Sequence, residues 1–397
     1  MSDAPPQRGG GRTAPRVVVH VDTERGWRGG ERQVLLLAQA LARRGVRSLV
    51  AARPDEPLAL RAAACGIEVI PCAPAFEGDP AAAMGLRRAL RRVHADLVHA
   101  HTGHAVMLGA LATWRTGMPL VVTRRVSRAL RGGPVTTWKY GRAAMTIAIS
   151  RAVADTLHRA GVPAQRVTVV PSGIDLTVLP APADASTVRA CGVPPGAALV
   201  VMVAALTAEK DHATALASLP AVRERVPSVH LLIVGGGPLR TELERVARTL
   251  HVAEHVTFTG HRDDAGSLLA AARVVALTSR SEGLGSTLLE AMALGVPVVA
   301  TAVGGIPEVI GDSAHVGGIA EHGAPEHGAA VADVAGALVP SGDPPALADA
   351  LARVLTDDAL RDRLSRAGQQ RAQRFSIERT ADETLAVYER VLASASR

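Results

Sequence analysis

Residues 278 to 308 read Thr278-Ser-Arg280-Ser-Glu282-Gly283-Leu284-Gly285-Ser286-Thr287-Leu-Leu-Glu290-Ala-Met-Ala-Leu-Gly295-Val-Pro297-Val-Val-Ala-Thr-Ala-Val-Gly304-Gly305-Ile-Pro307-Glu308. An apolar run, 274 to 277, precedes this stretch and another, 296 to 300, lies inside it, so the pattern is strand, glycine loop, helix, strand. Glu282 follows the first strand and Glu290 falls on the helix. Gly283, Leu284 and Gly285 between them let the backbone approach a ligand, while Ser286 and Thr287 add hydroxyls at a helix N-terminus that favours phosphate. Two carboxylates around such a loop suit a ligand with sugar hydroxyls at one end and phosphate at the other. The alternative is Ser286 as a plain N-cap and Glu290 as a surface residue.

The same alternation runs through the chain. Strands are expected at 16–21, 48–52, 68–71, 97–101, 120–123, 145–149 and 167–170, with a glycine loop at 26–30 and a helix at 31–44 stopped by Gly45. The Pro180-Ala-Pro-Ala-Asp-Ala-Ser segment reads as a linker. A second series follows, with strands at 199–204, 229–234, 256–259, 274–277 and 296–300. The expected fold class is therefore α/β, two Rossmann-like doubly wound domains, 15–179 and 180–375, facing a cleft. Helices are expected at 346–355, 357–374 and 376–392, the last with Ser376 as N-cap.

A chain of 397 residues exceeds one ordinary core, and its 48% hydrophobic content can fill two. Aromatics make up only 2%, which weighs against stacking platforms for nucleic acid. Residues 1–175 carry +13 and residues 176–397 carry −6, so the halves present surfaces for different partners. Three cysteines without Cys-x-x-Cys spacing suggest reducing cytoplasm, and no signal peptide or spanning helix is expected. The segment 313–335, rich in Ala, Gly and His, reads as an inserted loop; its His315, His322 and His327 lack the partners of a metal site.

Only two of the 44 basic residues are lysines, Lys139 and Lys210. Lys210 stands just past the strand 199–204, at the edge where open α/β sheets bind ligands, and can neutralise phosphate. Gly235-Gly236-Gly237 forms a turn able to aim amides at an anion, although Arg240 at the last glycine position breaks the dinucleotide fingerprint. Arg87, Arg88, Arg91 and Arg92 make a broad basic face on one helix.

Together these residues give a resemblance. The chain resembles GT-B glycosyltransferases of the large retaining family 4 class through Gly29-Gly30-Glu31, Asp96-Leu-Val-His-Ala-His101, Val170-Pro-Ser-Gly173-Ile-Asp175, Lys210-Asp-His, Ile233-Val-Gly-Gly-Gly-Pro238, the Glu282-x7-Glu290 block, Gly304-Gly-Ile-Pro-Glu308 and Val339-Pro-Ser-Gly-Asp-Pro344. The resemblance implies a final helix, 376–393, that crosses back to the first domain. It implies a retaining transfer of a hexose from a nucleotide-diphosphate sugar to a lipid-linked, glycan or small-molecule acceptor, with no cofactor and no metal. Glu282 would contact the hexose, Glu290 the ribose, and Lys210 the departing diphosphate. Backbone groups of Gly283 to Thr287 would hold phosphate and sugar, Gly29 and Gly30 would close from the opposite domain, and Gly236 would line the site. His261 and Arg262 would lie near the base.

Two departures stand out. Ala204-Ala205 replaces a Gly-Arg of many relatives, leaving Arg28 or Arg280 as substitutes for the second phosphate cation. Arg125 stands where many relatives have His, so either it or His101 or His104 works near the reacting sugar. The basic half would meet an acidic acceptor or the anionic inner face of the plasma membrane. The competing functions are a nucleotide-sugar epimerase of the same fold and a noncatalytic nucleotide-sugar-binding subunit.

Overall fold

The computed structural model describes residues 14–130, 133–311 and 334–395. The inserted segment with its three histidines lies outside them, apart from residues 334 and 335. In the first sheet the strands are β1 Val17–Val21, β2 Arg47–Ala52, β3 Glu68–Pro71, β4 Leu97–Ala100, β5 Leu120–Arg124, β6 Met145–Ala148 and β7 Val167–Val169. In the second they are β8 Ala198–Val203, β9 Val229–Val234, β10 Val256–Gly260, β11 Val274–Leu277, β12 Val298–Thr301 and β13 Ala337–Val339. Every pairing between these strands is parallel.

Strand order is β3-β2-β1-β4-β5-β6-β7 in one sheet and β10-β9-β8-β11-β12-β13 in the other. The order therefore reverses direction between β1 and β4, and again between β8 and β11. Loops leaving the two strands at a reversal diverge to opposite faces and open a crevice there. Both crevices turn out to hold the charged side chains.

Continuous burial explains the near-uninterrupted Val, Leu and Ala of these strands, which are covered on both faces. The expected start of the fifth strand of the second series moves from 296 to 298, because the Val296 amide bonds back to Ala291 in the preceding helix and Pro297 has no amide to pair. The linker is not wholly extended: Ala185–Ala190 is helical, with the Asp184 carboxylate accepting from the Thr187 amide at 2.6 Å.

The helix Ile377–Ala395 packs on the first helix, Gly29–Arg43, of the opposite domain. Ser376 accepts from the Arg379 amide at 3.2 Å and begins it. Arg44 bonds Asp382 and Glu378 along this contact, and Tyr388 is fully buried under the first sheet. At the crossing a Cβ on Gly173 would lie 2.4 Å from the Ser376 carbonyl oxygen, so only glycine allows the strand exit and helix entry to pair there.

Candidate active site

Lys210 leaves β8 and Glu282 leaves β11, neighbours at the second reversal, so chain order alone brings them together. Lys210 Nζ meets Glu282 Oε2 at 2.5 Å, and Ser279 Oγ donates to the same oxygen at 3.1 Å. The lysine's backbone is held from below. Asp211 takes a left-handed conformation with φ 45°, and its buried carboxylate is gripped by Arg280 and by Thr214 Oγ1 at 2.8 Å. Thr278 Oγ1 donates towards the carbonyls of Lys210 and Asp211. Arg280 is thus paired with Asp211, with most of its side chain still exposed.

The helix Ser286–Ala293 begins at Gly285, whose φ of 93° is the left-handed region that glycine tolerates. Ser286 is accordingly the first helical residue and not the N-cap, and the helix start has no side-chain cap. The first helix of the other domain starts at Gly29, and a Cβ there would lie 3.7 Å from Ser286 Oγ. Two helix N-termini, whose dipoles are positive, therefore meet across the domains; on the first, the Glu31 carboxylate accepts from the Arg28 amide at 2.8 Å, while the second has no such cap. An anion between them relieves the repulsion.

Glu290, further along its helix, meets Arg32 of the first helix at 2.5 Å, and burial holds its carboxyl above the usual range. Arg32 was not among the residues singled out from the sequence; it becomes relevant only because the first helix projects across the cleft. Leu284 turns its side chain into the core. The carbonyl of Gly236 accepts from the Leu206 amide at 2.9 Å, while a Cβ on Gly235 or Gly237 would overlap the 204–206 loop. Arg262 is committed to Asp264 by two bonds of 2.7 Å; His261 is exposed beside Asp263, which also meets Arg61 across the cleft at 3.2 Å. Among the described residues neither His261 nor Arg262 forms an ion pair with Lys210 or Glu282.

The domains touch closely here. A Cβ on Gly283 would sit 2.0 Å from the Arg125 carbonyl oxygen, Ser150 Oγ donates to the Gly283 carbonyl at 2.7 Å, and Ser127 meets Ser281 at 2.8 Å. The Glu308 carboxylate accepts from the amides of Arg151 and Ala152 at 2.9 and 3.1 Å, capping a helix that belongs to the other domain.

At the first reversal a buried polar cluster lies beneath Arg125. His101 Nδ1 is 3.2 Å from Arg125 Nη1, His101 Nε2 is 3.0 Å from His20 Nδ1, and His99 contacts Tyr388 Oη and Thr123 Oγ1, each at 2.6 Å. Burial lowers all three histidines, His20 to about 3, and so keeps them neutral; it lowers Arg125 to about 10. Asp22, on the end of β1, is pushed up to about 7 by burial and by neighbouring Glu31. His20, His99 and His101 stand close enough to share an ion. Their chemistry opposes it: both nitrogens of His99 are already bonded, and the Arg125 guanidinium lies against His101. His104 stays exposed near Glu77, and Lys139 pairs with Glu77 at 2.6 Å.

Two facing doubly wound domains, a shared cleft with Lys210 and Glu282 at its floor, and a final helix that recrosses to the first domain define the GT-B architecture. The family model for Glycosyl transferases group 1 matches residues 188–371 and that for Glycosyltransferase Family 4 matches residues 27–178, so this chain belongs to the group 1, family 4 glycosyltransferases. It is 31% identical over 337 residues to a D-inositol 3-phosphate glycosyltransferase of Nocardioides sp., covering 76% of this chain and 68% of that one. A Salinispora tropica protein of the same name is 30% identical, and this chain spans 65% of its length. The phosphatidyl-myo-inositol mannosyltransferase of Mycobacterium leprae is 29% identical over 93% of this chain and 95% of its own. Among solved structures, Anabaena Alr3699/HepE in complex with UDP and glucose aligns with a TM-score of 0.75 at 23% identity, over 93% of this chain and 98% of that chain.

Proposed function

We propose that the protein is a retaining glycosyltransferase that moves a hexose from a nucleotide-diphosphate sugar to a hydroxyl of a phosphorylated or lipid-linked polyol, a glycan or a small molecule. The observation that carries this reading is the Lys210–Glu282 pair at the carboxyl edge of the second sheet, with the start of the helix Ser286–Ala293, which has no side-chain cap, four residues on and the Gly29 end of the opposite domain's first helix against Ser286, where a departing diphosphate needs its charge met. Glu282, now paired with Lys210, would exchange that partner for hexose hydroxyls as Lys210 turns to the phosphates. Glu290 would likewise trade Arg32 for ribose hydroxyls, leaving Arg32 as a cation delivered from the opposite domain.

No cofactor and no metal enter this scheme, because Lys210, Arg32 and the helix amides supply the positive charge. The reading of the acceptor rests on the basic first half and on relatives whose names specify inositol phosphate or phosphatidyl-inositol. Among the described residues no helix is long and apolar enough to cross a membrane. A peripheral contact with the anionic cytoplasmic face, in the service of envelope glycolipid or polysaccharide synthesis, is supported by Arg88, Arg91 and Arg92, which are exposed on the helix Pro80–Arg92. Arg87 does not join them: it is bonded to the carbonyls of Leu111, Ala112 and Trp114.

The test is nucleoside-diphosphate release across a panel of donors and polyol acceptors. Release that requires acceptor, and that falls about a hundredfold in Lys210→Ala and Glu282→Gln, is the expected result. Donor interconversion without acceptor would make the protein an epimerase. Donor binding with no turnover under any condition would make it a noncatalytic partner.

A further inference from the structure

The cluster at the first reversal is a consequence of strand periodicity. His20 pairs in register with His99, and His99 with Val121. Side chains two apart share a face, so His20 on β1, His99 on β4 and Thr123 on β5 project to the same side of three adjacent strands, and Asp22, His101 and Arg125, each the first residue past its strand, continue the alternation. Lower on that face Val18, Leu97 and Val121 are apolar and pack with the final helix. Only the carboxyl edge is polar.

The bonds in this cluster have a direction. A guanidinium donates and cannot accept, so Arg125 must donate to His101 Nδ1. A neutral His101 then carries its proton on Nε2 and donates to His20 Nδ1. A neutral His20 in turn carries its proton on Nε2, and that nitrogen has no partner among the described residues. Asp22 Oδ2, Thr23 Oγ1 and Arg125 Nε are also buried without one. His99 stands beside this line and not in it: its ring lies 4.0 Å from that of His101, centre to centre, and Tyr388 and Thr123 hold its two nitrogens.

We propose that Arg125, His101 and His20 form a one-way hydrogen-bond relay in which Arg125 dictates the tautomer of both imidazoles and they in turn hold its guanidinium in place at the cleft. His101 and His20 are then positioning residues. His101 has no free basic nitrogen, since Nδ1 receives Arg125 and Nε2 carries the proton, so it does not act as a general base. What it positions is relevant to transfer because the Arg125 carbonyl abuts Gly283 of the Glu282 loop. The unpartnered Nε2–H of His20 and Oδ2 of Asp22 mark the far end, where water or an acceptor hydroxyl completes the line.

The tautomers can be read without any assay of activity, by long-range proton–nitrogen spectra of histidine-labelled full-length protein, with His20→Asn and His101→Asn assigning the signals. Both residues are expected as neutral Nε2–H forms near neutral pH, and Arg125→Leu is expected to release that preference. A wild-type Nδ1–H form or imidazolium at either position overturns the relay, as does an unchanged pattern in a folded Arg125→Leu protein. The kinetic arm rests on the transferase reading. His20→Leu should lower kcat about tenfold, or about 1.4 kcal/mol, with donor KM nearly unchanged. His20→Asn, whose Oδ1 replaces Nδ1 as acceptor from His101, should recover most of the loss. Equal loss in both folded variants, or a rise in KM alone, overturns the positioning role while leaving the transferase reading intact. If His20→Leu does not fold, the wild-type tautomers still decide.

Discussion

Acidification tests the buried cluster through stability, and Asp22→Asn is the perturbation that isolates its balance. Between about pH 7 and about pH 5 an unfolded histidine takes up a proton that His20, lowered to about 3 by burial, refuses. The folded pKa is depressed, so this contribution is complete above the unfolded value and is lost as pH falls. Integrated over the interval, His20 withdraws about 2 kcal/mol. His99 and His101, also held neutral by burial, act in the same direction. Asp22 opposes them. Its carboxyl, raised to about 7, binds a proton in the folded state over the interval while the unfolded residue remains ionised, which returns about 2 kcal/mol. Folded domains hold only about 5–15 kcal/mol, so both quantities are visible. Urea unfolding at the two pH values, at fixed ionic strength, should therefore show wild-type stability falling on acidification. Asp22→Asn, a neutral near-isostere, should fall about 2 kcal/mol further over the same interval. An equal or shallower fall in Asp22→Asn would refute the placement of a carboxyl raised to about 7 among neutral histidines.

Gly283→Ala should separate the domains locally. Its Cβ would stand 2.0 Å from the Arg125 carbonyl and 3.1 Å from Ile149 Cδ1, so the loop must retreat by about 1 Å, and a shift of that size costs transfer about a hundredfold. Nucleotide affinity should fall as well in calorimetry, because the same loop is the one read as holding phosphate and sugar, and undiminished transfer would show that this closed contact is not part of turnover. Vesicle flotation should recover the protein with anionic but not neutral lipid, and Arg88→Glu combined with Arg91→Glu should abolish recovery. Equal, negligible recovery with both lipids would end the membrane reading.

Much of the architecture was legible in the sequence because parallel strands buried on both faces leave continuous apolar runs, and each is punctuated by glycine or proline. The short strand Ala337–Val339 was not expected, having only three residues and following directly on the inserted segment. The Glu282 to Glu290 block and Lys210 were singled out from local chemistry: glycines that admit a ligand, and a lysine in a chain that otherwise uses arginine. Arg32 carried no such local mark, since an arginine on an amphipathic helix is ordinary. The histidines of β1 and β4 carried a partial one, the alternation of His20 with Asp22 and His99 with His101. It becomes meaningful only when β1 and β4 are known to be neighbours.

The sequence by itself determined the two series of strands and helices, the family, and the residue types available for phosphate and hydroxyl recognition. Periodicity and loop composition act over a few residues, and they are written locally. The tertiary structure decided which charges meet. Strand order reverses between β1 and β4 and between β8 and β11, and this nonlocal fact joins Lys210 to Glu282 and Arg125 to His101 and His20. It also paired Arg280 with Asp211 and brought Tyr388, on the last helix, beneath the first sheet to His99. Such pairings depend on burial and on separations of tens to hundreds of residues, which no local pattern encodes.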